Sequence, residues 1–202
     1  MISIKNLSLS FGENKVIDNF SLEIGEGITA LLGPSGCGKT TLLNAIAGLV
    51  KYGGVIDKGQ AKCSMVFNEP RLLPWYNVLR NVKVVDNSMT NEEAMKLLKA
   101  VEADSFSEKM PPELSAGMAQ RVSIARALAY KGDILLMDEP FKAVDSALKE
   151  KLMKGVIAEF KGKAIVFVTH DISEAELIAD RIITLKAAPL EIVKDEKKTD
   201  MR

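Results

Sequence analysis

"ITALLGPSGCGKTT" occupies residues 28–41. A solid apolar run ends on Gly33, and a G-x-x-x-x-G-K-T pattern follows through Gly33, Gly38, Lys39 and Thr40. Read as strand, loop and helix start, the order has a physical logic. Glycines permit backbone angles that turn successive N–H groups inward as an anion nest. The N-terminus of the following helix adds positive potential. Lys39 can then reach the β- and γ-phosphates of a nucleotide, and the Thr40 hydroxyl can ligate magnesium. The candidate nest is Gly33, Pro34, Ser35, Gly36, Cys37, Gly38, Lys39, Thr40 and Thr41. Cys37 reads as a spacer without a catalytic role, and its placement predicts that alkylation blocks nucleotide entry.

Outward from this loop, similar apolar runs recur at 63–67, 133–138, 164–170 and 181–185. Continuous Val/Ile/Leu runs suggest strands buried on both faces of a parallel sheet. Helical patterns lie at 39–49, 115–131, 146–161 and 172–179. The alternation predicts a doubly wound α/β domain. Residues 2–11 and 16–24 alternate with period two around "GENK" and predict antiparallel strands. The segment 78–112 interrupts the alternation, with Thr90 and Glu93 spaced as a capping box, and predicts an inserted helical subdomain. We expect one domain over residues 1–202, with the helical subdomain at about 71–125 and a charged, frayed tail at about 190–202.

Composition narrows the function classes. Lys+Arg and Asp+Glu are both 27, so no basic field argues for nucleic acid or a lipid surface. No apolar run approaches the roughly 18 residues of a membrane span. Cys37 and Cys63 alone make no disulfide framework, and a reduced cytosol is the simpler setting.

"DILLMDEP" closes a buried strand on Asp138 and Glu139. Adjacent carboxylates at a strand end are costly unless a cation is near. Magnesium on nucleotide phosphates would supply one, with Asp138 holding the metal and Glu139 acting as general base toward water. His170, the single histidine, ends "AIVFVTH" at the same sheet edge, where ligands of open α/β sheets collect. It is a candidate for γ-phosphate or water contact. Asp171 and Glu174 beyond it are spaced as a helix cap.

"LSAGMAQRVSIARALAYKGDILLMDEP" is the most specific stretch. With "GPSGCGKTT", "NEP", "KAVD" and "VTHD" in this order, the chain resembles the ABC transporter ATPases over nearly its whole length. The resemblance implies a P-loop NTPase core with a mostly parallel sheet, an N-terminal antiparallel β subdomain and an inserted helical subdomain. It implies ATP and Mg2+ as cofactors and a second copy of the chain as partner, stacked head to tail. Ser115 and the Gly117 backbone would then touch a γ-phosphate held by the other copy, and Asp145 would cross the interface. Phe11 matches the aromatic that stacks on adenine. Transmembrane permease subunits are implied, and through them a solute-binding protein. The implied location is cytoplasmic, peripheral on the inner face of the cell membrane.

Two departures carry expectations. Asn68 stands where the family places Gln, which reaches metal and attacking water, and its side chain falls about 1.5 Å short. Ala116 replaces a glycine between Ser115 and Gly117. Both predict slower hydrolysis. The 29 positions from Lys39 to Asn68 are fewer than the family's usual antiparallel arm requires, and the 32 residues after His170 are too few for a regulatory domain. "LLPW" at 72–75 predicts an apolar surface for a permease helix, shared with packing inside the subdomain. "EPRLLPW" is most similar to importers of nitrate, sulfonates and taurine. The competing readings are an ABC-type ATPase acting on nucleic acid or the ribosome, which wants basic surfaces, and a soluble P-loop kinase, which leaves "LSAGM" unexplained.

Overall fold

The computed structural model describes residues 1–142, 144, 146–186 and 188–198, with only the backbone of Ser146 and Ala147. Among the described residues, nine strands are assigned: β1 (Ile2–Phe11), β2 (Asn14–Ile24), β3 (Gly27–Leu32), β4 (Gly53–Asp57), β5 (Cys63–Val66), β6 (Ile134–Asp138), β7 (Ala164–Thr169), β8 (Arg181–Lys186) and β9 (Glu191–Lys197). Six α-helices accompany them: α1 (Lys39–Ala47), α2 (Val78–Lys83), α3 (Asn91–Ala100), α4 (Ala116–Ala129), α5 (Ser146–Glu159) and α6 (Ile172–Ile178). The main sheet has the order β5-β6-β7-β3-β8-β9 and is parallel apart from the β8–β9 pair. A second, antiparallel sheet has the order β2-β1-β4.

The predicted apolar runs became the parallel strands because their side chains divide between two cores. Leu31, Leu136, Val166 and Val168 face α1 and the antiparallel sheet. Ala30, Leu135, Met137, Ile165 and Phe167 face α4, α5, α6 and the inserted helices. Every residue of β6 and β7 is buried. Full burial of such a side chain contributes about 1.5–3 kcal/mol, so neither face can turn to water.

The inserted segment forms α2, α3 and two 3-10 turns before α4. Thr90 Oγ1 accepts from the Glu93 N–H at 3.1 Å, and Glu93 Oε2 accepts from the Thr90 N–H at 2.8 Å, completing the expected capping box. These helices share one apolar cluster with the main sheet.

Two expectations fail. The stretch predicted as a frayed tail forms β9 through Lys197, and the Arg181 guanidinium donates to both Asp195 carboxylate oxygens, at 2.7 and 2.6 Å. Its exposed charges suit a sheet edge, where they discourage pairing with other chains. Its end, 199–202, lies outside the described residues. The second concerns α6. Asp171 caps it, accepting from Ser173 and Glu174 N–H groups, but the Glu174 carboxylate does not complete a capping box. It accepts instead from the Thr169 hydroxyl and lies 3.3 Å from Lys149 Nζ on α5. Sequence reading also missed β4, a short glycine-led strand paired with β1.

Candidate nucleotide site

The loop between β3 and α1 begins where two constraints exclude a side chain. A Cβ on Gly33 would lie 2.6 Å from the Leu185 carbonyl oxygen of β8. Gly38, the N-cap of α1, has φ 107°, in the left-handed region that favours glycine. The loop therefore bends closely over the C-terminal edge of the parallel strands and delivers α1 with its free N–H groups outward.

Lys39 is buried, and its ammonium donates to the carbonyls of Gly33 (2.7 Å) and Pro34 (2.8 Å), with Cys37 Sγ at 3.7 Å. Burial of a cation is tolerable only with such partners. Cys37 itself is 1% exposed and packs in the apolar cluster with α1. This corrects the alkylation expectation: a reagent reaches the thiol only if the loop opens.

The Thr40 hydroxyl lies 2.9 and 3.1 Å from the two Asp138 carboxylate oxygens at the end of β6. Burial holds the Asp138 carboxyl above the ordinary carboxylate range. The Thr40 hydrogen bond opposes this, and the neighbouring Glu139 charge adds to it. A charge held at such a cost suits a group that meets a cation. Glu139 turns out of the sheet at φ 45°, with its N–H donating to Val168 O at 3.1 Å. One of its carboxylate oxygens lies 3.5 Å from His170 Nδ1 and the other 3.4 Å from Lys142 Nζ.

Lys39, Thr40, Glu139 and Lys142 border a cleft of about 440 Å3. That falls within the roughly 300–1,000 Å3 of small-molecule sites. Ser35, Gly36, Gly38, Lys39, Thr40 and Thr41 form one wall. Glu139, Lys142 and Asn68 lie across it, and Phe11, 57% exposed, stands at the mouth with Val16. Gly33, Pro34 and Cys37 shape the loop from behind. Asp138 joins through Thr40, and His170 through Glu139. Ser115 and Gly117 are not on this lining. Ser115 caps α4, accepting from the Met118 N–H at 3.3 Å, and it is exposed. Asp145 lies outside the described residues. Lys142 was missed by sequence reading, although a cation three residues after an acid pair is a usable signal.

Asn68 stands on a loop pinned to α4. Gln120 Nε2 donates to Phe67 O at 3.2 Å, and the Arg126 guanidinium donates to Pro70 O (2.8 Å) and Arg71 O (2.9 Å). Asn81, fully buried on α2, fixes the continuation through Leu73, with hydrogen bonds of 2.8 and 3.1 Å. Leu72 packs on the core while Trp75 stays 66% exposed, so the apolar loop divides as expected between packing and surface.

A phosphate loop feeding an acid pair and a histidine at one parallel-sheet edge agrees with the comparisons to known proteins. Residues 17–142 match the model of the ABC transporter family. The chain belongs to the ABC transporter ATPases. An aliphatic sulfonates import ATP-binding protein of Pseudomonas syringae pv. tomato is 42% identical over 85% of this chain and 75% of its own length. An Fe(3+) ions import ATP-binding protein of Fusobacterium nucleatum is 39% identical over 92% of the chain and 55% of its own. A dimeric ATP-binding cassette solved in a post-hydrolysis state with ADP and Pi superposes with a TM-score of 0.87, at 33% identity over 100% of both chains. No helix among the described residues of this ABC ATPase is long and apolar enough to cross a membrane.

Proposed function

We propose that this ABC ATPase is the ATP-hydrolysing subunit of an importer for a small solute of the nitrate, sulfonate or taurine kind. The observation that carries the enzymatic half is the cleft joining the β3–α1 loop to Glu139 and, through it, to His170. The sulfonate importers among the relatives and the "EPRLLPW" loop support the solute class.

Phosphates enter the loop and draw Lys39 from the Gly33 and Pro34 carbonyls. Phe11 stacks on the base. Glu139 takes the proton of the water that attacks the γ-phosphorus, while His170 orients Glu139 and contacts the γ-phosphate. Magnesium fits the donor set: Thr40 and Asp138 supply hard oxygens, and Asn68 approaches from across the cleft. The described residues hold no cluster of three or more metal-ligating His, Cys, Asp or Glu side chains. That matches an ion which takes most of its ligands from phosphate and water. Bound there, Mg2+ would neutralise phosphate charge.

The cleft is open, and the exposed N-terminus of α4, with Ser115 and Gly117, completes it from a second copy of the chain. Asp145 is assigned to the same interface. The exposed Trp75 marks the surface that takes a permease helix on the inner face of the membrane. A solute-binding protein acts indirectly, across the membrane.

The test is Glu139→Gln in the presence of Mg2+ and ATP. Removing a general base lowers hydrolysis by about 10²–10⁴-fold. ATP is then retained, and light scattering reports a dimer. Wild-type protein that binds no adenine nucleotide, alone or with its permease, overturns the proposal.

A further inference from the structure

We propose that Lys142 is a second phosphate-binding cation of the cleft, one that exchanges Glu139 for the γ-phosphate when a triphosphate is seated. This rests on the nucleotide reading above.

The position of Lys142 is built rather than incidental. Directly after β6 the chain turns back on itself: the Lys142 N–H donates to Glu139 O at 3.3 Å, and the Val144 N–H donates to Phe141 O at 3.0 Å. Phe141 is fully buried and anchors the turn in the core beneath. The Lys142 side chain is thereby returned over the cleft it lines.

Its bonding leaves capacity. The buried Lys39 ammonium has its donors directed at two loop carbonyls and the Cys37 sulfur. Lys142 meets Glu139 Oε2 at 3.4 Å, its charge also favours the nearby Asp138 carboxylate, and its side chain is 59% exposed. An ammonium carries three donors on a flexible four-carbon stem. The Glu139 carboxylate is largely enclosed (14% exposed), but the ammonium end of the pair stands in water at a long 3.4 Å contact, so Lys142 can turn to a multiply charged phosphate without leaving solvent.

Location selects the phosphate. Glu139 marks the hydrolytic end of the cleft, with His170 on its other oxygen. A cation within contact of Glu139 lies nearest the terminal phosphate of a nucleotide seated on the β3–α1 loop. Lys142 therefore favours ATP over ADP, and its departure leaves Glu139 free to accept a proton.

Titration calorimetry with ATP and ADP tests this in two backgrounds, wild type and Glu139→Gln, each with and without Lys142→Ala. Loss of Lys142 is expected to weaken ATP threefold to tenfold, or about 0.7–1.4 kcal/mol, in both backgrounds. ADP should change less than twofold. Lys142→Arg should restore most of the ATP affinity, and Lys142→Met should reproduce the alanine result. If Lys142 serves only to hold Glu139, its loss leaves ATP affinity unchanged in the Glu139→Gln background, which overturns the inference. An equal loss for ATP and ADP overturns it too. Wild-type protein that binds neither nucleotide overturns the nucleotide reading instead, and this inference falls with it.

Discussion

Glu139 occupies a left-handed backbone at φ 45°. A residue with a Cβ adopts that conformation at a cost of about 1–3 kcal/mol. The turn accepts the cost because it lifts the carboxylate off the sheet and into contact with both His170 and Lys142. Geometry here is tight enough that short side chains matter. Asn68 lines the cleft but is one carbon shorter than Gln, and exposed Ala116 puts a methyl at the α4 N-terminus proposed to meet a second copy's nucleotide. The double substitution Asn68→Gln, Ala116→Gly should raise ATP turnover of the assembled transporter about twofold to tenfold, within the reach of one hydrogen bond. A phosphate-release assay with an unchanged rate would contradict both assignments. Residues of this kind were legible because their chemistry is tied to fixed spacings around glycine and proline. Lys142 was not, since its role depends on a turn that folds it back over the cleft. Cys37 was misjudged for a related reason: spacing places a residue in a loop without saying which way its side chain points.

The elements around the site are held by a few long-range polar ties. The Arg126 guanidinium, half-buried in α4, donates to the Pro70 and Arg71 carbonyls just past Asn68, and burial lowers its pKa from the ordinary arginine value. The Asn68 loop is thus tied directly to α4. At the opposite edge of the main sheet, β9 is fastened by Arg181 and Asp195. The Arg181 hydrogen bonds hold the Asp195 carboxyl below its ordinary value, so the folded state gains from its ionised form. That gain is full above the unfolded value near 3.8 and disappears as pH falls through the lower folded value. Asp195 is 38% exposed, which limits the pair to about 1 kcal/mol after screening. Asp195→Asn should lower stability by that amount at pH 7, and the deficit should close once pH has fallen through the depressed folded value. Urea melts at pH 7 and below that folded value decide it, and a deficit independent of pH would mean that packing, not charge, is lost. Composition alone hid β9, because Lys, Asp and Glu read as solvated tail until a partner strand supplies the ladder. The apolar runs of β3, β6 and β7 carried no such ambiguity, having no face that water could share.

At the scale of the whole molecule, the inserted helices share a core with the sheet, and α3 approaches α5 most closely at Gly155. A Cβ on Gly155 of α5 would lie 2.0 Å from the Ala100 carbonyl oxygen at the end of α3. The ion pairs Lys96–Glu159 (3.0 Å) and Lys151–Glu102 (2.9 Å) join the same two segments, but both are exposed and add little. Backbone approach therefore sets the seam. Helix propensity alone says that Gly155→Ala stabilises α5, by about 1 kcal/mol. The steric conflict is with backbone, which cannot rotate away, and forcing such a contact costs about 1–3 kcal/mol. The second effect matches or exceeds the first: Gly155→Ala should lower net stability by up to about 2 kcal/mol. Because α3 and α4 belong to the same inserted unit, the displacement also shifts Ser115 relative to the cleft. ATP hydrolysis by the dimer should then fall more than nucleotide binding by the single chain. A higher melting temperature for Gly155→Ala, or equal losses in binding and hydrolysis, would show that α3 and α5 are free to separate and that the seam does not set the position of the α4 N-terminus.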